Sequence, residues 1–315
     1  MRAFLSKSGW VLGLVGILVA LAVVTKLIQP NYGASGFESL VRASLPFAFA
    51  TAAMSVAIIV GGVDLSVAAM MAVASVVAAR LMAEVGDVAA GGVFVGVMGL
   101  GLLMGAVNGL LIVVTRVPDI VVTLAMLFVW EGVALLVMQA PGGSAAPWLR
   151  EVIVGSVVPF VPNALIFLLV FMLAIWLPLR RSKLGLSIYA VGSDARAAYR
   201  SGVPIGRTRV IAYAIGGLFA ALGGLTLTMS TGIGEPIPGP YLLAAVAASV
   251  LGGVVLGGGI GGLLGPILAV FILRLVRMDL TLAAVDPNVT TIVEGAIMVV
   301  VVMLGGVLAL GRRRA

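Results

Sequence analysis

Few side chains in this 315-residue chain could do chemistry, and most of them sit among apolar neighbours. Asp64, Ser66, Asn108 and Thr123 interrupt runs that are otherwise hydrocarbon-like, and Glu131 and Glu294 do the same farther along. A charge at the centre of a bilayer costs roughly 2.5–3.5 kcal/mol on insertion scales, so each such group must be paired, protonated or used. Histidine and cysteine are absent. That removes disulfides, thiol nucleophiles, His-ligated metals and imidazole acid–base catalysis. Composition leaves Ser–Lys or Asp chemistry as the enzymatic alternatives. None of Lys7, Lys26 and Lys183 lies in a phosphate-binding Gly-x-x-x-x-Gly-Lys-Ser/Thr setting, so the chain has no nucleotide site of that kind.

The second chemical feature is a polar stretch. Arg180 to Arg209 holds seven of the nineteen Lys and Arg residues and a single acid, Asp194. Within it, Ser193 or Asp194 supplies an N-cap oxygen, and Ala195, Ala197 and Ala198 favour helix. Gly202 suits a left-handed stop, and Pro204 prevents continuation. About two turns of helix follow, exposing Arg196, Tyr199 and Arg200. A solvated surface helix or one lying on anionic lipid would show the same pattern. The stretch is also longer than two neighbouring helices need, which points to a partner.

The elements that must position these groups are membrane spans. Apolar residues make up 62% of the chain and charged ones 10%, against about 25% charged in a soluble domain. The fold class is an all-α integral membrane protein, with residues 1–315 read as one domain. Ten apolar spans are expected at about 10–28, 44–60, 65–82, 91–114, 120–138, 163–179, 209–229, 241–256, 260–277 and 290–310. Ala20-Leu21-Ala22 resembles a cleavage site, but the apolar run continues through Ile28, so an uncleaved first helix is expected. Ten spans put both termini on one side. If that side is the cytoplasm, thirteen basic residues lie inside and six outside. The inner set is Arg2, Lys7, Arg116, the seven of the long loop and Arg312 to Arg314. The net charge of +7 thus reports orientation rather than nucleic-acid binding. The second-longest loop, Gln139 to Pro162, is then external, with Trp148 suited to the interface.

Glycine is abundant, at 42 residues. Tight helix packing accounts for most of it. Gly-Gly pairs also break helices, which a membrane tolerates where the backbone is buried or lines water. Gly61-Gly62-Val63-Asp64-Leu65 and Gly252-Gly253-Val254-Val255-Leu256 look alike at an offset of 191. Asp64 is placed to cap the third span at such a break, accepting from the N–H of Ser66 or Val67. Asn108, among small residues, is expected to bond a neighbouring helix, and Thr123 to satisfy its own backbone. Glu294 with Arg274 or Arg277 is a candidate ion pair.

The run Tyr189-Ala190-Val191-Gly192-Ser193-Asp194-Ala195-Arg196-Ala197-Ala198-Tyr199-Arg200-Ser201-Gly202-Val203 closely resembles the cytoplasmic coupling loop of ribose/monosaccharide-type permeases of bacterial ABC importers. Three further segments resemble that family in the expected order. They are Gly61 to Val67, Met104 to Leu111 with Val117 to Leu124, and Ala244 to Gly262. The resemblance covers about residues 40–305. The sequence departs from the family pattern at Ala68, Asp119, Leu242-Leu243 and Glu294, departures that bear on the substrate.

The resemblance implies a transmembrane permease of the inner membrane that imports a monosaccharide or related small sugar. It implies a second permease subunit, a cytoplasmic ABC ATPase and a periplasmic substrate-binding protein. ATP and Mg would bind the ATPase, with no cofactor on this chain. Gly192, Ser193, Asp194, Arg196, Ala197, Ala198, Tyr199, Arg200, Ser201 and Gly202 would form the coupling contact. Asp64, Ser66, Asn108 and Thr123 are then candidates for the solute path as well as for structure, and Glu235 and Asp286 for docking the binding protein. A permease for branched-chain amino acids or nucleosides shares this architecture. A proton- or sodium-coupled carrier could use Asp64, Glu131 and Glu294, but would leave the coupling-like loop unexplained.

Overall fold

The computed structural model describes the backbone of residues 2–237 and 239–313, with side chains outside 2–8, 302 and 304–313. Twelve helices and one short hairpin follow in the order α1 (Arg2–Ile28), α2 (Ala34–Ile59), α3 (Val67–Thr115), α4 (Asp119–Val137), α5 (Pro147–Val154), β1 (Ser156–Val158), β2 (Val161–Pro162), α6 (Asn163–Arg181), α7 (Lys183–Ser193), α8 (Ala195–Arg200), α9 (Ile205–Thr231), α10 (Tyr241–Leu251), α11 (Leu264–Leu282) and α12 (Pro287–Arg313). Among the described residues, six helices are long and apolar enough to cross a membrane: α1 from Gly9, α2, α3, α4, α6 and α9. Each expected span is centred on a helix.

Helix α3 contains two membrane-length arms. Its 49 residues break at Gly86, where φ is 71° and ψ is −178°. The chain doubles back there, because Asn108 on the second arm hydrogen-bonds Ser66 at the start of the first. Both arms pack on α9. A Cβ on Gly224 would meet Met71 and Ala74 of the first arm, and one on Gly105 would meet the Tyr213 carbonyl from the second. These glycines let backbones approach to a distance that side chains would forbid. Ser75 and Thr228 share a buried 2.8 Å hydrogen bond between the first arm and α9, and Ser55 and Ser249 a 3.0 Å one between α2 and α10.

The two Gly-rich segments end helices in the same way. Gly61 N–H donates to Ile58 and Gly62 N–H to Ala57, while Gly253 N–H donates to Val250 and Val254 N–H to Ser249. Both are Schellman stops, with Gly61 at φ 93° and Gly253 at φ 88°, a region that favours glycine. The equivalent residues are therefore 192 apart, one more than the sequence alignment gave. The second stop also shortens the expected span 241–256. Helix α10 ends at Leu251, and α11 begins only at Leu264. Eleven residues make about 16 Å of helix, half a bilayer core.

The stretch Arg180 to Arg209 is not a loop around one helix. Arg180 and Arg181 complete α6, Arg207 and Arg209 open α9, and α7 occupies Lys183–Ser193 ahead of α8. Basic residues at the opposite end satisfy helix-end and loop carbonyls. Arg80 donates to Val137 at 2.8 Å, Arg42 to Val154 at 3.1 Å and Lys26 to Tyr32 at 2.8 Å. The segment 139–162 folds into α5 and the hairpin, and Trp148 donates to the Asp87 carbonyl at 2.9 Å.

Candidate functional site

Helix α8 is six residues long and capped at both ends. Of the two expected caps it is Asp194, not Ser193, that acts: its carboxylate accepts from the N–H groups of Arg196 at 2.8 Å and Ala197 at 3.0 Å. Those two N–H groups, Ala197 before Arg196, hold the Asp194 carboxyl below the usual range, and the charges of Arg196 and Arg200 act the same way. At the other end Gly202 N–H donates to Tyr199 and Val203 N–H to Ala198. Arg196, Ala197, Tyr199, Arg200, Ser201 and Gly202 face outward, Tyr199 with 72% of its surface free. Ala198 points the other way and is buried, as is Gly192, so neither belongs to the exposed face.

Gly192 instead seats the unit. A Cβ there would meet the carbonyl of Ile59 and the N–H of Gly259, and Cβ atoms on Gly61 and Gly258 would both meet Gly192. The end of α7, the turn after α2 and the turn after α10 thus meet backbone to backbone. Gly259 N–H donates to the Ile59 carbonyl at 2.9 Å, and Tyr189 Oη donates to the Gly261 carbonyl at 2.8 Å. Sequence reasoning found the Gly-rich segments and the capped helix separately. It had no signal for their meeting, because only tertiary folding joins residues 59, 192 and 259.

The four buried polar residues converge near the turn after α2. Asp64 accepts from Ser66 N–H at 2.9 Å and Ser66 Oγ–H at 2.7 Å, but no bond comes from Val67. Asn108 donates to Ser66 Oγ at 2.7 Å and accepts from Trp130 Nε1 at 3.1 Å, linking three elements. Thr123 donates to its own helix at the Asp119 carbonyl (2.8 Å) and lies 3.1 Å from the Val63 carbonyl. Tyr213 donates to Asp119 Oδ2 at 3.0 Å, so the acid that departs from the family pattern has a partner. The arrangement ties α3, α4 and the turn together as well as lining it with oxygen atoms.

The remaining candidates lie apart from this junction. Glu235 is half-buried, its N–H donating to Ser75 Oγ at 3.1 Å. Asp286 is exposed and accepts from Asn288 N–H at 2.8 Å, capping α12. Both follow helices that run away from α8, so they share the opposite end. Glu294 pairs with Arg277 at 2.8 Å, and Glu131 is half-buried on α4. Among the described residues, no group of three or more acidic side chains could hold a metal ion.

The chain thus forms a bundle of broken apolar helices around a Gly-lined junction, with one short polar helix on its rim. Residues 36–302 match the family described as the permease component of branched-chain amino acid transport systems, and the chain belongs to that family. It is similar to the probable ABC transporter permease y4mJ of Sinorhizobium fredii, with 31% identity over 91% of this chain and 86% of that one. It is 28% identical to the ribose import permease RbsC of Escherichia coli K12, over 96% of both chains. It is also 28% identical to the autoinducer 2 import permease LsrD of Escherichia coli HS, over 94% of this chain and 92% of that one. No solved structure matches the chain.

Proposed function

We propose that the chain is the inner-membrane permease subunit of an ATP-driven importer for a monosaccharide or a related small sugar. It spans the bilayer ten times with both termini in the cytoplasm. A separate ABC ATPase carries ATP and Mg and grips α8, a second permease subunit completes the pore, and a periplasmic binding protein delivers solute at the end holding Glu235 and Asp286.

The observation that carries this reading is the mechanical seat of α8. Its outward face offers Arg196, Tyr199 and Arg200 to a partner. Its root at Gly192 touches the end of α2 and the backbone of Gly258 and Gly259 between α10 and α11, so a push on α8 reaches that junction without an intervening side chain. Ribose and autoinducer 2 are the solutes named for two relatives, and the sugar reading follows them. The family description names branched-chain amino acids, which is the second reading.

The experiment is reconstitution of the permease with its ATPase and binding protein. Arg196→Glu with Arg200→Glu should abolish stimulation of ATP hydrolysis and uptake while the permease keeps its fold. Wild-type stimulation by that double variant would remove the coupling role. Uptake of labelled pentose against labelled leucine separates the two substrate readings.

A further inference from the structure

The hairpin of β1 and β2 leaves four apolar side chains open, Val157, Val158, Phe160 and Val161, with Val157 66% and Phe160 57% exposed. Successive strand residues point to opposite faces, so Val157 and Val158 put hydrocarbon on both. A sheet with a solvated face alternates apolar with polar residues, and this hairpin does not. Its turn is also strained. Val158 pairs with Val161, which leaves Pro159 and Phe160 as the loop, and Phe160 has φ 68°. A Pro-led turn takes glycine or asparagine at that position, where a bulky side chain is disfavoured. The ring has one aromatic neighbour, Phe37, at 6.3 Å between centroids.

What covers the hairpin follows from its depth. Helix α6 begins directly after β2, at Asn163, and its last turn carries Arg180 and Arg181. Its 19 residues rise about 28 Å, close to the ~30 Å hydrocarbon core. With those arginines at one headgroup layer, Asn163 and the hairpin reach the other. No charged residue occurs from Val152 to Leu179. The apolar surface of the hairpin therefore runs on into Ile166, Leu169, Val170 and Leu173, which are exposed along a membrane-length helix.

We propose that the β1–β2 hairpin is a membrane anchor, with Val157, Val158 and Phe160 lying at the boundary between lipid headgroups and acyl chains. An exposed apolar patch marks a contact with protein or with membrane. A water-borne partner would leave these side chains in water between encounters. The hairpin also offers such a partner no charge, and Ser156 is its one polar side chain. A bilayer covers the patch at all times, as it covers other apolar faces that lie in the interface. The anchor is separate from the α8 seat, and its test does not depend on transport.

The chain has no cysteine of its own, so a single spin label can be placed at Val158→Cys. Leu169→Cys serves as the lipid reference and Asp286→Cys as the water reference. The labelled full chain is reconstituted in vesicles of phosphatidylethanolamine and phosphatidylglycerol. Collisions of the label with oxygen, which concentrates in the bilayer, are compared with those of a water-soluble nickel chelate. The oxygen-to-nickel ratio at 158 should lie clearly above that at 286, and below that at 169, which is about 9 Å deeper than the start of α6. Phe160→Gly suits the positive φ, so it keeps the turn while removing the ring. It should shift the ratio at 158 toward the water reference. A ratio at 158 equal to that at 286 would show the hairpin standing in water, open to a protein partner, and overturn the anchor. A ratio unmoved by Phe160→Gly would overturn it as well.

Discussion

Gly259 donates its backbone N–H to the Ile59 carbonyl at 2.9 Å, joining the turn after α10 to the last turn of α2. Gly192 lies against both groups with no room for a Cβ. The neighbours that a side chain would strike are backbone atoms, which cannot swing aside as a flexible side chain can.

Gly192→Ala is therefore expected to destabilise the permease by about 1–3 kcal/mol, the usual range for overpacking. Gly202→Ala meets no neighbouring atom, although its φ of 82° disfavours a side chain. A thermal melt in detergent compares them. A Gly192→Ala protein that melts with the wild type would show that the junction yields freely.

The Asp194 cap has a pH signature. Because its folded carboxyl lies below the ordinary range, the stabilisation is complete above the unfolded value of about 3.9. It is lost as pH falls through the lowered folded value. Amide exchange in α8 should stay protected from neutral pH down to about 4 and rise only below it. Asp194→Asn, a good uncharged cap, should remove that acid-dependent change. Loss of protection near pH 6 would show that another group holds α8.

Asn108→Ala leaves Trp130 Nε1 without its acceptor and Ser66 without its donor from the second arm. Interhelical hydrogen bonds in membranes average only about 0.6 kcal/mol, so losing two should cost about 1 kcal/mol. A double-mutant cycle with Trp130→Phe should return about 0.6 kcal/mol of coupling. Zero coupling would mean the Asn108–Trp130 bond contributes nothing to stability.

The absence of cysteine makes sidedness directly testable. Ser201→Cys and Asp286→Cys each introduce a single thiol at exposed positions on opposite ends. A membrane-impermeant maleimide added to intact cells should label Asp286→Cys and spare Ser201→Cys. The reverse pattern would invert the proposed orientation and end the coupling reading with it.

Much of the architecture was legible along the chain. Apolar runs marked the helices, because a bilayer demands them locally, and Asp194, Gly202 and Pro204 marked α8, because capping acts over three or four residues. Helix α7 was missed. Its apolar Leu184, Leu186, Ile188 and Val191 are interleaved with glycine and sit in a basic stretch that reads as loop. The ends of α10 and α11 were misplaced because hydropathy does not register the Schellman stop at Gly253 or the positive φ values at Gly258, Gly259 and Gly261.

The sequence by itself determined that this chain lives in a membrane, where its long apolar helices are centred and which short polar helix stands out from them. Those properties depend on neighbours a few residues apart. Only the tertiary structure decided that Gly192 meets Ile59 and Gly259, that Asn108 bridges Ser66 and Trp130, and that Arg274 lies against Phe47 while Glu294 serves Arg277. Each of those contacts joins distant residues, and close packing rather than local preference selects which of them touch.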